Sequence, residues 1–212
     1  MDIITDSVTR LEEIIHHSGC EETGVHLDVD PTAKTCEYER GACMVASFGG
    51  RSAEFVTDDP IRAMTKISFM FGASLETPRV RSAACAIINV ATGFFCLSRV
   101  LHACPKASHA PCLRELTEKL ERHRVFCIGK IPVLERAQGL EVTTNIDKAD
   151  IILVNNEGII APETGDLVAA WGKRKQIIFL GPSTAGVSRI QQQEHWCPYG
   201  KQTPDFIPAP SQ

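Results

Sequence analysis

Histidine and cysteine crowd one short stretch of this chain, His102-Ala103-Cys104 followed by His109-Ala110-Pro111-Cys112. Together they read His-x-Cys-x4-His-x2-Cys. Imidazole nitrogen and thiolate sulfur suit zinc or a softer transition metal, so His102, Cys104, His109 and Cys112 are candidate metal ligands. The spacing is not a paired CxxC motif, and a helix end, a loop and a helix start can carry the same residues without binding anything. His195-Trp196-Cys197 would add ligands if the C-terminal segment folded back. More often such a segment is a satisfied surface patch.

A second group of residues suits a small ligand. The run ending Gly181-Pro182-Ser183-Thr184 combines a permissive backbone with two hydroxyls, a turn suited to a carboxylate, a phosphate or a chelating small molecule. Gly129-Lys130-Ile131-Pro132 and Asn155-Asn156-Glu157-Gly158 follow two other apolar runs. In an open parallel sheet, ligands bind beyond the carboxyl ends of the strands. The candidate ligand residues are therefore Gly129, Pro132, Asn155, Asn156, Glu157, Gly181, Pro182, Ser183 and Thr184. Asn89 joins them because an amide inside an apolar helix must find partners, either a ligand or a neighbouring backbone. Glu157 and Glu163 could hold a cation or act as a base, or be solvated loop acids. Gly129-Lys130-Ile131-Pro132 is not GxGxxG and there is no Walker A lysine motif, so NAD and ATP are not expected. No Ser-His-Asp, HExxH or paired-carboxylate spacing singles out a reaction.

The elements that must position these residues change character along the chain. Apolar residues at Ile4, Val8, Leu11, Ile14 and Ile15 predict a helix over 3–17, stopped by Ser18-Gly19. Alternation predicts strands at 25–30 and 43–48, the second ended by Gly49-Gly50, with a third short strand at 34–40, as an antiparallel meander. Asp58-Asp59-Pro60 and Thr77-Pro78 look like helix starts, predicting helices over 58–71 and 77–101. Gly93 would allow close packing inside the second. Residues 112–123 form a charged amphipathic helix. From Arg124 onward, apolar runs at 125–129, 140–144, 149–155 and 176–180 alternate with helices at 133–138 and 164–173. Non-alternating runs separated by helices indicate a parallel sheet covered on both faces.

Composition narrows the class. The chain has 212 residues, 43% hydrophobic and 23% charged, which fits a globular protein with a packed core. The net charge of −4 argues against a nucleic-acid surface. No stretch approaches the roughly 20 apolar residues of a membrane span, and residues 1–13 lack the pattern of a signal peptide. Nine cysteines, an odd number spread through the elements, fit a reducing cytoplasm in which most act as small core hydrophobes.

Three segments in this order, VFCIGKIP at 125–132, ADIILVNN at 149–156 and IIFLGPST at 177–184, resemble an uncharacterised family labelled for heavy-metal chelation. The resemblance covers roughly residues 25–198, and the GPST turn is its most specific piece. This chain carries Asn155-Asn156-Glu157-Gly158 where members more often have a Gly-Thr-Thr-like segment. The resemblance implies an α/β chain in which a small antiparallel α+β domain, enolase-N-terminal-like, over 1–122 precedes a Rossmann-like parallel-sheet domain over 123–198, with an irregular Pro-rich tail over 199–212. The expected function is binding of a small molecule or metal in the cleft between domains, the ligand being a transition metal, a metal chelate or an anionic metabolite. The rival is a lyase or transferase acting on a small anionic metabolite there. A scaffold or regulatory subunit is a third reading, marked by a closed cleft and an exposed apolar patch. Nothing in the sequence opposes a homo-oligomer.

Overall fold

The computed structural model describes residues 2–203. It is a mixed α/β protein with two sheets. The four-stranded antiparallel sheet holds β1 (Gly24–Asp30), β2 (Ala42–Phe48), β3 (Arg51–Thr57) and β4 (Ala63–Lys66), in the order β3-β2-β1-β4. The five-stranded sheet is parallel throughout. It holds β5 (Arg124–Ile128), β6 (Glu141–Val142), β7 (Ile151–Val154), β8 (Gln176–Leu180) and β9 (Glu194–Trp196), in the order β6-β5-β7-β8-β9.

Helix α1 (Ile3–Ile15) is capped by Asp2, whose carboxylate accepts from the N–H groups of Ile4 and Thr5. Its apolar stripe of Ile4, Val8, Leu11 and Ile15 is buried. Thr77 caps α2 (Pro78–Phe94), with Pro78 in its first turn. This helix is buried along most of its length, so it supplies the apolar layer over which β2 and β3 pack. The remaining helices are α3 (His109–Leu120), α4 (Pro132–Glu135), α5 (Asn156–Ile160), α6 (Thr164–Trp171) and α7 (Ala185–Ile190). One apolar cluster runs from Ile3 through Phe55 and Ile88 to Phe179 and Ile190, so both sheets share a core. A second cluster joins Cys36, Tyr38, Cys112 and Leu116 to Val125, Leu153, Ile178 and Leu180 on the other face of the parallel sheet.

Four local expectations are corrected. Residues 34–40 are turn and coil, not a strand. The segment predicted as a helix over 58–71 is instead a turn, then β4, then a 3₁₀ turn at Ile67–Met70. Asp59 does not cap a helix there. Its N–H is bonded by Thr57 Oγ1 and its carboxylate holds Arg79 at 2.6 Å. The open edge of β1 then recruits residues 63–66 as a strand, a tertiary demand that outweighs local helix signals. Helix α2 ends at Phe94 rather than near 101. The Thr92 carbonyl accepts from Leu97 and Ser98, and the chain folds back until Leu101 lies against Gly93. Finally, Gly49-Gly50 does more than end a strand. Both residues take positive φ, 55° and 77°, in a two-residue hairpin that launches β3. The start of the Pro-rich tail is pinned, since Lys201 bridges His102. Residues 204–212 lie outside the described residues. No helix among the described residues is long and apolar enough to cross a membrane.

Candidate functional site

The chain enters the parallel sheet at β5, goes to β6 on one side and returns to β7 on the other. The loops leaving β5 and β7 therefore diverge at the position where open α/β sheets keep their ligand crevice. The three predicted strand ends, 129–132, 155–158 and 181–184, follow β5, β7 and β8 and lie at one end of the sheet.

No open crevice lies there. Asn155, Asn156, Ser183 and Thr184 are each at most 1% exposed. The space is filled by the chain itself. The Asn155 amide donates to Lys130 O and Tyr38 O, and its oxygen accepts from Gly158 N. Any β-carbon on Gly129 would collide with that oxygen. Asn156 donates at 2.9 Å to both Arg40 O and Val56 O. Ser183 Oγ accepts from Val56 N at 2.9 Å. Asn89 donates to Glu54 O, Pro182 O and Ser183 O, while its oxygen accepts from Gly186 N. These bonds join the two sheets. Of the other predicted residues, Pro132 starts α4, and Glu157 accepts from Lys130 N at the outer rim. Glu163 precedes α6 without capping it.

The residue that sequence reasoning missed is Glu39. It sits in the coil between β1 and β2 and is only 4% exposed. Its Oε1 accepts from Ser183 N at 2.9 Å, occupying the place an anionic ligand would take on the Gly181–Thr184 turn. Gly181, at φ +82°, leaves room for this contact, because a β-carbon there would strike the carboxylate. Burial pushes the Glu39 carboxyl up to about 8, helped by the nearby Glu54 charge and opposed by the hydrogen bonding of Ser183. At neutral pH the folded chain therefore holds Glu39 largely protonated.

Among the described residues, buried side-chain atoms without a close hydrogen-bond partner include Glu39 Oε2, Glu37 Oε1, Asn156 Oδ1 and His109 Nε2; Trp196 lies beside the Cys112 thiol. Buried polar groups are nearly always satisfied, so each of these atoms calls for an ordered water or another hydrogen-bond partner. Burial also raises the Glu37 carboxyl. The thiols of Cys36, Cys104, Cys112 and Cys197 gather in the same region. All are raised, first by burial; neighbouring thiol charge adds to this at Cys36, Cys104 and Cys197, and the charges of Glu37 and Glu115 at Cys112.

The predicted metal set is not assembled. His102 Nδ1 donates to the Glu54 carboxylate at 3.3 Å, which also accepts from Ala103 N. Cys112 Sγ instead accepts from the Tyr38 hydroxyl at 3.3 Å. His195 Nε2 donates to Gly181 O at 2.8 Å, and the segment expected as a surface patch is the outer strand β9. Among the described residues, no group of three or more His, Cys, Asp or Glu side chains is arranged to hold a metal ion. All nine cysteines are free, and only Cys96 is exposed.

Comparison with known proteins finds similarity in shape to solved structures. No protein-family profile matches the chain, and no curated protein matches it. A crystal structure of a protein from the DUF364 family of Pyrococcus horikoshii is similar, with 12% identity over 85% of this chain and 79% of that one and a TM-score of 0.49. That protein is described as having unknown function.

Proposed function

We propose that this chain is a binding protein for a small cationic, donor-rich ligand, taken up where the 31–41 segment closes over the carboxyl ends of the parallel strands. A hydrated or chelated transition-metal ion presents this chemistry, and so does a protonated amine. The observation that carries the reading is Glu39, a buried carboxyl whose Oε1 accepts from Ser183 N on the Gly181–Thr184 turn and whose Oε2 has no close partner. A ligand carrying N–H or O–H groups would donate to Glu39 Oε2 once that carboxyl gives up its proton, without a direct metal–protein bond. That fits the lack of a direct ligand set among the described residues. An anion fits the surroundings less well. Arg81, the one Arg or Lys buried among the described residues, is held by Asp2 and by the carbonyls of Leu75, Ile160 and Ala161. The seam instead holds three glutamates.

Isothermal titration of the purified protein tests this, with separate arms for a divalent metal ion, its chelate and a small diamine. Saturable binding of one arm, lost in Glu39→Gln with the fold intact, is the expected result. Binding that survives Glu39→Gln but disappears when His102, Cys104, His109 and Cys112 are changed together would move the site to that loop. No binding in any arm would leave ordered water as the occupant and end the proposal.

A second reading, a lyase or transferase acting on a small metabolite at the same seam, has one observation in its favour. A buried carboxyl at about 8 suits general acid–base work near neutral pH. Turnover that falls with Glu39→Gln while ligand affinity holds would favour it.

A further inference from the structure

The fold brings a serine, a histidine and a glutamate together on the antiparallel sheet, although no spacing in the sequence announces the set. Ser52 and Glu54 stand two residues apart on β3, so their side chains share one face. It is the face turned away from the core, since Ala53 and Phe55 on the other side are fully buried. Along the outer edge of β3 runs the returning chain, where Glu54 N donates to Leu101 O at 2.8 Å. The next residue is His102, whose N–H and carbonyl both pair with Lys201. Its ring bridges the two side chains. Nδ1 faces Glu54 Oε1 at 3.3 Å, and Nε2 faces the Ser52 hydroxyl at 3.5 Å. The other Glu54 oxygen accepts from Ala103 N at 2.7 Å, which fixes the carboxylate. A carboxylate on Nδ1 keeps the ring proton there and leaves the Nε2 lone pair for the hydroxyl. His102 is buried and Ser52 half-buried, so the ring is sheltered while the hydroxyl can be reached. On the same face lies a polar pocket of about 410 Å³ lined by His26, Asp28, Asp30 and Ser47 among others. Ser47 is the direct cross-strand partner of Ser52.

We propose that Ser52, His102 and Glu54 form a hydrolytic triad for small, short-chain esters, with Ser52 as nucleophile, His102 as general base and Glu54 as the residue that positions the histidine. The three groups stand in the order such a relay requires. Their separations suit a site without substrate, where catalytic hydrogen bonds are commonly long. Ser52 Oγ bonds to the ester carbonyl carbon as its proton passes to His102 Nε2. The bond from that carbon to the alcohol oxygen breaks, and the alcohol leaves with the proton. Water then attacks the acyl-serine, gives a proton to the same nitrogen, and releases the carboxylic acid and the Ser52 hydroxyl. By strand alternation the Ser52 N–H turns to the same edge as those of Glu54 and Val56, which donate to Leu101 O and Ser183 Oγ. It would donate to the oxygen that becomes negative in the intermediate. The polar lining of the pocket favours a short acyl group over a long apolar chain. Neither Glu39 nor the Gly181–Thr184 turn belongs to the triad, so this inference stands apart from the ligand proposed above.

The test uses the full chain as wild type, Ser52→Ala, His102→Gln and Glu54→Gln. Each is assayed with p-nitrophenyl acetate and p-nitrophenyl octanoate, then treated with a fluorophosphonate probe and mapped by mass spectrometry. Wild type should hydrolyse the acetate faster than the octanoate and carry the probe on Ser52. Ser52→Ala removes only a hydroxyl, so it should keep the wild-type circular dichroism and melting temperature while losing both turnover and label. His102→Gln should slow hydrolysis by at least about 100-fold. Glu54→Gln should lower kcat by a similar factor and leave KM unchanged, because Glu54 sets the histidine and touches no substrate. The Ser52→Ala comparison decides by itself if a variant at His102 or Glu54 fails to fold. Wild-type rates no higher than those of free imidazole, a probe absent from Ser52, or a Ser52→Ala protein as active as wild type would overturn the proposal. Faster hydrolysis of the octanoate would overturn its substrate class.

Discussion

Replacing Glu39 with glutamine keeps the shape of the side chain that closes the strand ends and removes its ability to ionise. In the folded chain the carboxyl is held at about 8, against an ordinary value of 4.5. Between those values the unfolded chain has lost its proton and the folded chain has kept it. The folded state thus binds more protons, and stability must fall as pH rises through this window. Each pH unit corresponds to about 1.4 kcal/mol. The wild type should therefore lose about 3 kcal/mol from this group by pH 7, and about 5 kcal/mol once the pH passes 8. Glutamine mimics the protonated acid. Its oxygen can accept from Ser183 N, and its NH₂ can take the place of the acid's O–H. The two proteins should match near pH 4.5, and the variant should be the more stable by several kcal/mol at pH 8.5. Urea denaturation followed by circular dichroism, at half-unit steps from pH 4.5 to 9, measures the difference directly. Other titrating groups cancel between the two proteins. Parallel pH profiles would refute the reasoning, because they would mean that Glu39 ionises in the folded state as freely as in water.

Two more substitutions probe the same seam. Asn89→Ala removes four hydrogen bonds and leaves Gly186 N buried without an acceptor, so unfolding free energy should fall by about 3–5 kcal/mol in the same denaturation assay. A loss under about 1 kcal/mol would show that the two sheets do not depend on this amide. Gly181→Ala forces a left-handed φ on alanine and drives its methyl into the Glu39 carboxylate. It should cost about 1–3 kcal/mol and should cost less when combined with Glu39→Ala. Equal costs in both backgrounds would separate the turn from Glu39.

Much of the architecture could be read from local pattern. The run 176–180 is β8 residue for residue, and the apolar, non-alternating character of 125–128 and 151–154 marks strands buried on both faces. That pattern also placed three loop ends together. What they meet could not be read. The Glu39–Ser183 contact spans 144 residues and depends on a coil with no periodicity of its own. The alternation of Glu37, Tyr38 and Glu39 imitated a strand, although Tyr38 is buried for packing and Glu39 for a hydrogen bond. The His and Cys residues of 102–112 looked like a ligand set because spacing ignores direction. In three dimensions His102 turns to Glu54 and Cys112 to Tyr38. The missed hairpin did have a signal, Gly49-Gly50 between two runs of β-forming residues. The misread 58–71 segment had none, since only the open edge of β1 makes it a strand.

The binding claim is tested most directly by following the backbone amide resonances of Gly181 and Ser183 while the ligand found by calorimetry is titrated into the wild-type protein at pH 7. The account predicts that these two amides, with that of Glu39, shift and saturate at one equivalent as about one proton is released. Saturation that moves only residues 102–112, or that releases no proton, would contradict it.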